Sequence, residues 1–438
     1  MGCELAQKPM TMQYLPNRTP RDPGLLWPAL WRLALAGATF VIVYSGCNLL
    51  THMRGNVPTL MFEWEKSIPF VRELVVPYWS LDAFFCGAFF LCGSKTELNL
   101  LTKRLMTVTI LSGLFFLLFP LKLGLPRPEP SGWTAPFFHA LYFNDLPYNL
   151  APSLHISLRS LVWVFYGAHL TGHVRTVVKV WFILIGLSTL LVWQHHLIDV
   201  AGGFVMGWVV AALIPDPRQM GTRNPSKKYA VRYGVGAVVC GALGFAWIGF
   251  VWPAVACGIM ALAYGTGLSR LLGKENGTLS PSAEWCLLPI LLVRGWVQKK
   301  WLKRKPGWCE VTPGVCFGRR VTGKEAVAMV AAAEAGGAAL AVLDLTAETN
   351  APRAFRGRAF YVNLPLLDLV PLKTEQIAAA VEYIRGQRAE GRRVFVHCQL
   401  GLQRSALIMA HWLVASGEAV DLEMAVKRVR ELKPDVVI

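Results

Sequence analysis

The sequence has 438 residues, of which 54% are hydrophobic and 16% charged, and its mean hydropathy is +0.41. This composition is too apolar for an ordinary soluble enzyme and too mixed for a bundle that lies entirely in lipid. The formal net charge is +17, yet residues 306–438 carry 16 Lys and Arg against 14 Asp and Glu, so +15 belongs to residues 1–305. Charge concentrated in the apolar part argues against a nucleic-acid partner and favours basic loops beside a membrane.

Eight apolar segments approach the roughly 20 residues that a membrane-spanning helix needs. They are residues 25–50, 77–93, 105–121, 156–170, 177–193, 198–214, 231–252 and 254–272. The first segment is expected to be a retained anchor, because it lacks the short core and small-residue cleavage site of a signal peptide. Residues 285–297 are too short to cross and include Arg294, so we predict an interfacial helix there. Residues 298–305 form a basic segment suited to an anionic inner-leaflet surface.

Beyond this segment the pattern becomes that of an α/β domain. Short β-type runs at residues 311–317, 341–345, 359–364 and 394–396 alternate with helical patterns at 324–335, 374–387, 405–415 and 422–432. The predicted fold is therefore a mainly α membrane bundle followed by an α/β domain. We expect four parts: a cytosolic segment 1–24, a membrane domain 25–272, an interfacial helix with a basic linker 273–305, and the α/β domain 306–438.

The ten Cys residues are scattered and include no C-x-x-C pair. The spacing predicts neither a disulfide framework nor a zinc site. We expect no metal and no cofactor.

The sharpest motif joins the last strand of the α/β domain to a helix. The loop 398–404, which we call the Cys-Arg loop, begins at Cys398, contains Gly401 and ends at Arg404 before Ser405. Backbone N–H groups at a helix N-terminus form an anion cradle and favour the thiolate form of a cysteine. Arg404 can hold two phosphoryl oxygens, and Ser405 can donate to the departing thiolate. The motif predicts nucleophilic attack by Cys398 on phosphorus.

A thiolate cannot protonate the leaving alkoxide, so an acid must come from elsewhere in the fold. Asp368 follows a predicted strand, 30 residues before Cys398, and is the candidate. This constellation resembles the cysteine-based dual-specificity phosphatases, over roughly residues 308–438. The resemblance implies a phosphoric monoester hydrolase. The other positions between Cys398 and Arg404 carry no charge. Polyanionic inositol lipids are therefore less expected as substrates.

A second constellation lies among the predicted spans, where ionisable residues are costly and suggest function. It comprises Lys122 and Arg127 after the third span, Ser153 and His155 before the fourth, and Ser188, His195 and Asp199 between the fifth and the sixth. A His nucleophile, a carboxylate that orients it, a second His as acid and cationic phosphate ligands together suit phosphoryl transfer through a phospho-histidine.

These motifs resemble the type 2 phosphatidic acid phosphatases, a six-helix membrane fold, over roughly residues 78–214. The resemblance implies His195 as nucleophile, Asp199 as its orienter and His155 as acid. By the same resemblance, the phosphate ligands are Lys122, Arg127, Ser153 and Ser188. Only four residues separate Lys122 from Arg127, where the family has six, and Thr189 replaces an expected Arg. The same departures from the family pattern occur in relatives that transfer a phospho-headgroup between lipids. Hydrolysis and transfer are therefore both kept as alternatives.

The order of the two parts resembles a bacterial inner-membrane phosphatase fusion. We expect a two-site phosphatase that acts on a phospholipid or lipid phosphate among membrane lipids, with a phosphoprotein as a possible partner of the Cys398 site. The alternatives are a headgroup transferase at the membrane site, a protein phosphatase at Cys398, and a phosphate sensor without activity. Alternate loops carry the Lys and Arg residues, which places Cys398 in the cytoplasm and His195 outside it.

Overall fold

The computed structural model describes residues 22–218, 222–275, 277–302 and 307–438. The predicted cytosolic segment 1–24 lies almost entirely outside the described residues, and so does the end of the basic segment at 303–305. The described residues form two compact units. The helical unit comprises residues 22–216 and 280–286, and the mixed unit comprises the described parts of 217–279 and 287–438.

The helices and strands are numbered in chain order. The helices are α1 (Leu26–Met53), α2 (Val75–Leu91), α3 (Lys95–Leu118), α4 (Ala135–Asn144), α5 (Leu154–His169), α6 (Gly172–Leu191), α7 (Leu197–Leu213), α8 (Lys227–Leu243), α9 (Val251–Thr266), α10 (Pro281–Cys286), α11 (Leu288–Leu302), α12 (Gly323–Ala335), α13 (Arg353–Arg358), α14 (Thr374–Ala389), α15 (Arg404–Ala415) and α16 (Leu422–Leu432). The strands are β1 (Lys274–Glu275), β2 (Thr278–Leu279), β3 (Trp308–Thr312), β4 (Val315–Arg319), β5 (Leu340–Thr346), β6 (Phe360–Leu366) and β7 (Arg393–Cys398).

Each of the eight predicted spans overlaps one helix, from α1 to α3 and from α5 to α9. Among the described residues, five helical segments are long and apolar enough to cross a membrane: Leu26–Met53, Arg72–Leu91, Lys95–Leu118, Gly172–Leu191 and Ile248–Thr266. Helices α5, α7 and α8 are shorter, at 16, 17 and 17 residues. Large apolar side chains such as Ile42 and Val238 are 72% and 73% exposed, which suits helices surrounded by lipid.

Two boundaries at the end of this region were wrong. The predicted span 231–252 begins inside α8, contains most of that helix up to its end at Leu243, and then runs into the start of α9. The predicted span 254–272 runs past the end of α9, because Gly267 adopts the left-handed conformation (φ 73°) that ends helices. The predicted interfacial segment 285–297 is divided between α10 and α11, and its place at an interface stays a prediction.

The mixed unit is built on a five-stranded sheet of order β3-β4-β7-β5-β6. β4, β7, β5 and β6 are parallel, and β3 is antiparallel to β4. The predicted strand 311–317 was wrong, because Gly314 (φ 78°) turns the chain and makes a hairpin of two strands. The sheet is otherwise close to the prediction, with β5 buried along its whole length.

Apolar side chains cover both faces of this sheet. Residues of β4, β5 and β7 such as Phe317, Leu343 and Val396 join a core with α14, α15 and α16, whereas Val342 and Phe395 join a second core with α12 and α13. Because neighbouring strands are parallel, their carboxyl ends meet at one edge, where α/β proteins place their sites. The loops that follow β5, β6 and β7 leave the sheet at that edge.

The segment between α9 and α11 belongs to the same compact unit. Lys274 of β1 inserts its ammonium group beside β5, where it contacts Asp344 Oδ2 at 2.7 Å and donates to Thr346 O and Oγ1 at 2.9 and 2.8 Å. Gly277 O accepts a hydrogen bond from Ala351 N. The predicted domain boundary at residue 306 stays a prediction, and these contacts add the preceding segment to the α/β unit.

Candidate active sites

The backbone conformation of the Cys-Arg loop depends on Gly401. Gly401 has a positive φ of 72°, and a Cβ there would lie 2.5 Å from Arg319 N and from Gly318 C. Both the backbone conformation and this close approach require glycine. The turn lets β7 end at Cys398 and α15 begin at Arg404, so the nucleophile candidate faces a helix N-terminus.

The structure brings Cys398, Arg404 and Ser405 together. Cys398 Sγ lies 3.4 Å from Ser405 Oγ, within the range of a sulfur hydrogen bond, and Ser405 Oγ also contacts Gly318 O at 3.3 Å. His397 precedes the nucleophile and is fully buried, and burial lowers its pKa to about 4 despite the nearby Asp344. Its ring is therefore neutral at physiological pH, and the Cys398 sulfur has no imidazolium beside it in the chain.

Two carboxylates hold Arg404. Its Nη2 lies 3.0 Å from Glu348 Oε1 and 2.9 Å from Asp368 Oδ1, while Nη1 donates to Leu366 O at 2.8 Å. Burial disfavours the charged guanidinium, but Asp368 and Glu348 outweigh burial and raise the pKa of Arg404. The guanidinium is thus fixed and charged at the end of the Cys-Arg loop.

Asp368 occupies the loop after β6, as the sequence predicts. Its side chain is 27% exposed, and its Oδ1 accepts a hydrogen bond from Leu369 N at 3.1 Å as well as contacting Arg404. The carboxyl group therefore lies in the same site as the candidate nucleophile, in reach of solvent. Its role as acid stays a prediction.

Sequence reasoning missed Glu348 and the role of Arg294. Glu348 follows β5 as Asp368 follows β6, so its position after a buried parallel strand was the available signal. Arg294 of α11 contacts Glu348 Oε1 at 2.8 Å. Burial alone would raise the pKa of Glu348, but the charges of Arg404 and Arg294 outweigh burial and lower it. Glu348 is a buried carboxylate shared between two arginines.

A buried cysteine, a paired arginine and an aspartate that follows another parallel strand of the same sheet are the parts of a cysteine-dependent phosphatase. Residues 328–438 match the family described as dual specificity phosphatase, catalytic domain. The C-terminal part of the chain is therefore a dual-specificity phosphatase catalytic domain, and the protein is a phosphoric monoester hydrolase.

Solved structures with a similar part were also found. Tk-PTP in its active form is 26% identical and matches 30% of this chain and 88% of that chain, with a TM-score of 0.26. A mouse putative dual specificity phosphatase is 20% identical, with 30% and 79% covered and a TM-score of 0.26. PTPMT1 in complex with PI(5)P is 16% identical, with 30% and 87% covered and a TM-score of 0.27.

The helical unit contains part of the second constellation in one pocket. This pocket is lined by His195 and Gln194 from the loop before α7, by Arg127, and by Asp145 and Tyr44. Arg127 Nη1 donates to Asp145 O at 2.7 Å, which holds the guanidinium at the pocket wall. The pocket lining thus contains the His195 imidazole, the Arg127 guanidinium and the Asp145 carboxylate, and Arg127 is the cationic group that can contact a phosphate.

Asp199 links the segment of Ser153 and His155 to the loop that carries His195. His195 Nδ1 lies 3.6 Å from Asp199 Oδ2, beyond a hydrogen bond but close enough for a charged imidazole to be attracted. Ser153 N donates to Asp199 O at 2.9 Å, and the Ser153 side chain accepts from Ile156 N to cap α5. The Ser153 hydroxyl is therefore engaged at the start of α5.

His155 stacks on Tyr78 with ring centroids 4.3 Å apart, and its Nε2 has no hydrogen-bond partner among the described residues. Lys122 and Ser188 do not line the pocket in the described part of the chain. Lys122 is exposed, and Ser188 is buried with its hydroxyl bound to Ile185 O of its own helix. The structure thus brings His195 and Arg127 together in the pocket, and connects His195 and Ser153 through Asp199. Lys122 and Ser188 lie apart from these residues.

His196 is engaged elsewhere. Its Nε2 accepts from Gly124 N at 3.0 Å, and its Nδ1 lies 3.4 Å from Glu65 Oε2 in a fully buried setting. Glu65 also accepts from Leu197 N at 2.9 Å. Sequence reasoning missed Glu65 and Asp145, because neither belongs to a recognisable spacing. Of the two adjacent histidines, only His195 lines the pocket.

Proposed function

We propose that the Cys398 site hydrolyses phosphate monoesters through a cysteinyl-phosphate. The Cys398 thiolate forms an S–P bond as the P–O bond to the alcohol breaks, and Asp368 gives its proton to the departing oxygen. Water then attacks phosphorus and gives a proton to Asp368, the S–P bond breaks, and Ser405 donates to the leaving thiolate. Substrate phosphate replaces the Asp368 carboxylate on Arg404, which frees the acid for the leaving oxygen. The single observation that supports this assignment is the contact of Arg404 with Asp368 beside the Cys398–Ser405 pair.

The test uses the full-length His195→Ala protein in detergent, so that only the Cys398 site is intact, and a small aryl phosphate. Cys398→Ser is expected to abolish turnover while retaining vanadate binding, because Arg404 and the backbone cradle are unchanged. Arg404→Lys is the companion variant, and it should lose vanadate binding because an ammonium cannot reproduce the two-pronged contact. Full activity in Cys398→Ser would rule out the thiolate mechanism.

We propose a phosphorylated membrane lipid as the substrate of this site, for instance a phosphomonoester headgroup of the phosphatidylglycerophosphate type. The loop that carries Asp368 is hydrogen-bonded to the last turn of α9, because Tyr264 OH donates to Asp368 O at 3.0 Å. α9 lies in one of the five segments long and apolar enough to cross a membrane. A site at the end of such a helix favours a phosphate at the membrane surface over a free phosphoprotein, which remains the alternative.

We propose that the pocket of the helical unit is a second phosphoryl-transfer site. His195 would form a phospho-histidine, with Asp199 as orienter, His155 as acid, and Arg127 and Ser153 as phosphate ligands, whereas Lys122 and Ser188 lie apart from the pocket. The observation that supports it is the common pocket of His195 and Arg127. Hydrolysis and headgroup transfer both fit. A mass-spectrometric lipid comparison with and without the protein separates them: new headgroup lipids indicate transfer, whereas loss of a phosphomonoester with phosphate release indicates hydrolysis.

A further inference from the structure

The loop that carries Asp368 receives hydrogen bonds from residues outside the matched region 328–438. We call residues 364–371, which are the end of β6 and the loop that follows it, the acid loop. Thr222 Oγ1 donates to Pro365 O, Asn224 Nδ2 donates to Pro371 O, and Tyr264 OH donates to Asp368 O at 3.0 Å. Three backbone carbonyls, at the start, middle and end of the acid loop, are thus held by the segment around α8 and α9. We call these three donors the acid-loop clasp.

The donors are themselves fixed. Thr222 Oγ1 lies 2.8 Å from Ser269 Oγ, so it can accept from Ser269 while it donates to Pro365 O. Asn224 N donates to Gly267 O at 2.9 Å. Tyr264 is 1% exposed and its ring stacks on Tyr233 with centroids 5.6 Å apart. Buried and paired donors hold their acceptors in one geometry, which free surface side chains do not.

The acid loop needs outside support because its own backbone is strained next to the acid. Leu369, directly after Asp368, has a φ of 62°, in the left-handed region that is unfavourable for a non-glycine residue. The Leu369 side chain is 53% exposed, so packing contributes little to holding this conformation. The bond from Tyr264 to the preceding carbonyl, that of Asp368, acts directly beside the strained residue.

We propose that Thr222, Asn224 and Tyr264 are positioning residues for the general acid. They fix the backbone of Asp368 while its carboxyl group stays free to move from Arg404 to the leaving oxygen. This inference rests on the proposed function, because it requires Asp368 to be the acid. The protonation step then depends on the end of α9, a helix that lies outside the matched catalytic domain.

The test measures turnover of aryl phosphates with good and poor leaving groups by the full-length protein in detergent, with every variant made in the His195→Ala background so that only the Cys398 site is intact. Tyr264→Phe should reduce kcat for the poor leaving group by about tenfold and leave the good one nearly unchanged, because only the poor one needs the proton. Asn224→Ala, a partly exposed position that folding tolerates more readily, should act in the same direction. Tyr383→Phe is the matched control, since Tyr383 OH donates to Phe360 O at the same 3.0 Å away from the acid loop.

Two comparisons separate this inference from the proposed function. Asp368→Asn should itself show the loss confined to poor leaving groups, and a uniform or absent effect would contradict its role as acid. With that role established, Tyr264→Phe in the Asp368→Asn background should cause no further loss. Equal losses for both leaving groups in Tyr264→Phe, no loss in either clasp variant, or a loss as selective in Tyr383→Phe would overturn the positioning role.

Discussion

At the scale of single residues, the Cys398 site is defined by which charges face each other. Arg404 is shared by Glu348 and Asp368, and Glu348 is shared by Arg404 and Arg294. A buried carboxylate between two guanidinium groups stays ionised and keeps both arginines in place. Asp368 is the carboxylate of this network with solvent access, which suits the acid role proposed for it.

The neutral His397 makes stability depend on pH. Its pKa is about 4 in the folded chain and about 6.5 when unfolded, so between these values the unfolded chain binds more protons. The free energy of unfolding should therefore fall as the pH drops from about 6.5 to about 4, by on the order of 3 kcal/mol in full. Urea titrations in detergent, followed by circular dichroism at several pH values, measure this fall.

His397→Phe is the variant that tests this assignment, because it keeps an aromatic ring against Phe395 and neither His397 nitrogen has a hydrogen-bond partner among the described residues. The variant should lose most of the pH dependence above about 4.5, and burial of His411, which also lowers the pKa of that imidazole, leaves a remainder of the same sign. Below that value both proteins should still lose stability, because Glu348 has a lowered pKa and its protonation breaks the arginine pairs. Identical curves for the two proteins between pH 6.5 and 4.5 would contradict the assignment.

The two adjacent histidines of the helical unit should behave differently. His195→Ala is expected to remove lipid turnover at the membrane site and any acid-labile phospho-enzyme, because His195 lines the pocket. His196→Ala should retain a phospho-enzyme, since both His196 nitrogens face Gly124 and Glu65. Phospho-enzyme formation is measured with radiolabelled lipid phosphate in a Cys398→Ser background. A phospho-enzyme in His195→Ala but not in His196→Ala would show that His195 is not the nucleophile.

At the scale of elements, the β1–β2 hairpin is attached to the sheet through one buried ion pair. Lys274 donates to three oxygens, and Asp344 also accepts from Tyr361 OH at 2.7 Å and Thr346 N at 2.8 Å. Burial alone would raise the pKa of Asp344, but Lys274 outweighs burial and lowers it. The carboxylate thus depends on a lysine that lies far outside the matched region.

Lys274→Met should destabilise the mixed unit by about 3–5 kcal/mol, because it leaves Asp344 as a buried charge without its partner. Lys373→Met is the matched control. Its ammonium is 46% exposed and lies 3.8 Å from Glu375, so the change should cost less than about 1 kcal/mol. Urea unfolding at neutral pH compares the two variants. Equal stability of both would show that the hairpin contributes nothing to the α/β unit.

The sequence predicted elements better than it predicted contacts between them. β5, β7, α14 and α15 were predicted within two residues at either end, because apolar periodicity and the Cys-Arg loop define them locally. Gly314 was overlooked as a turn, which merged β3 with β4. Asp368 was found from its place after a strand, whereas Lys274 and Tyr264 were not found, because a contact between residues about 70 to 100 positions apart leaves no local pattern.

At the scale of the whole molecule, the chain combines apolar helices with a phosphatase domain, and the faces of the membrane stay a prediction. The bacterial inner membrane is an expectation from the resemblance to a phosphatase fusion, and the alternate basic loops predict Cys398 in the cytoplasm and His195 outside. A variant with Cys398 as its only cysteine, probed with a small membrane-impermeant thiol reagent, measures this. Labelling should occur only after lysis, and labelling in intact cells would contradict the arrangement.

The central claim is that Cys398 removes phosphate from a membrane lipid. The most direct measurement is release of inorganic phosphate from vesicles that contain a phosphomonoester lipid, by full-length His195→Ala protein, in which only the Cys398 site is intact. We predict sustained release by this protein, none by the His195→Ala, Cys398→Ser double variant, and slower turnover of a soluble phosphopeptide. Release that survives Cys398→Ser, or turnover of the phosphopeptide with none of the lipid, would contradict the claim.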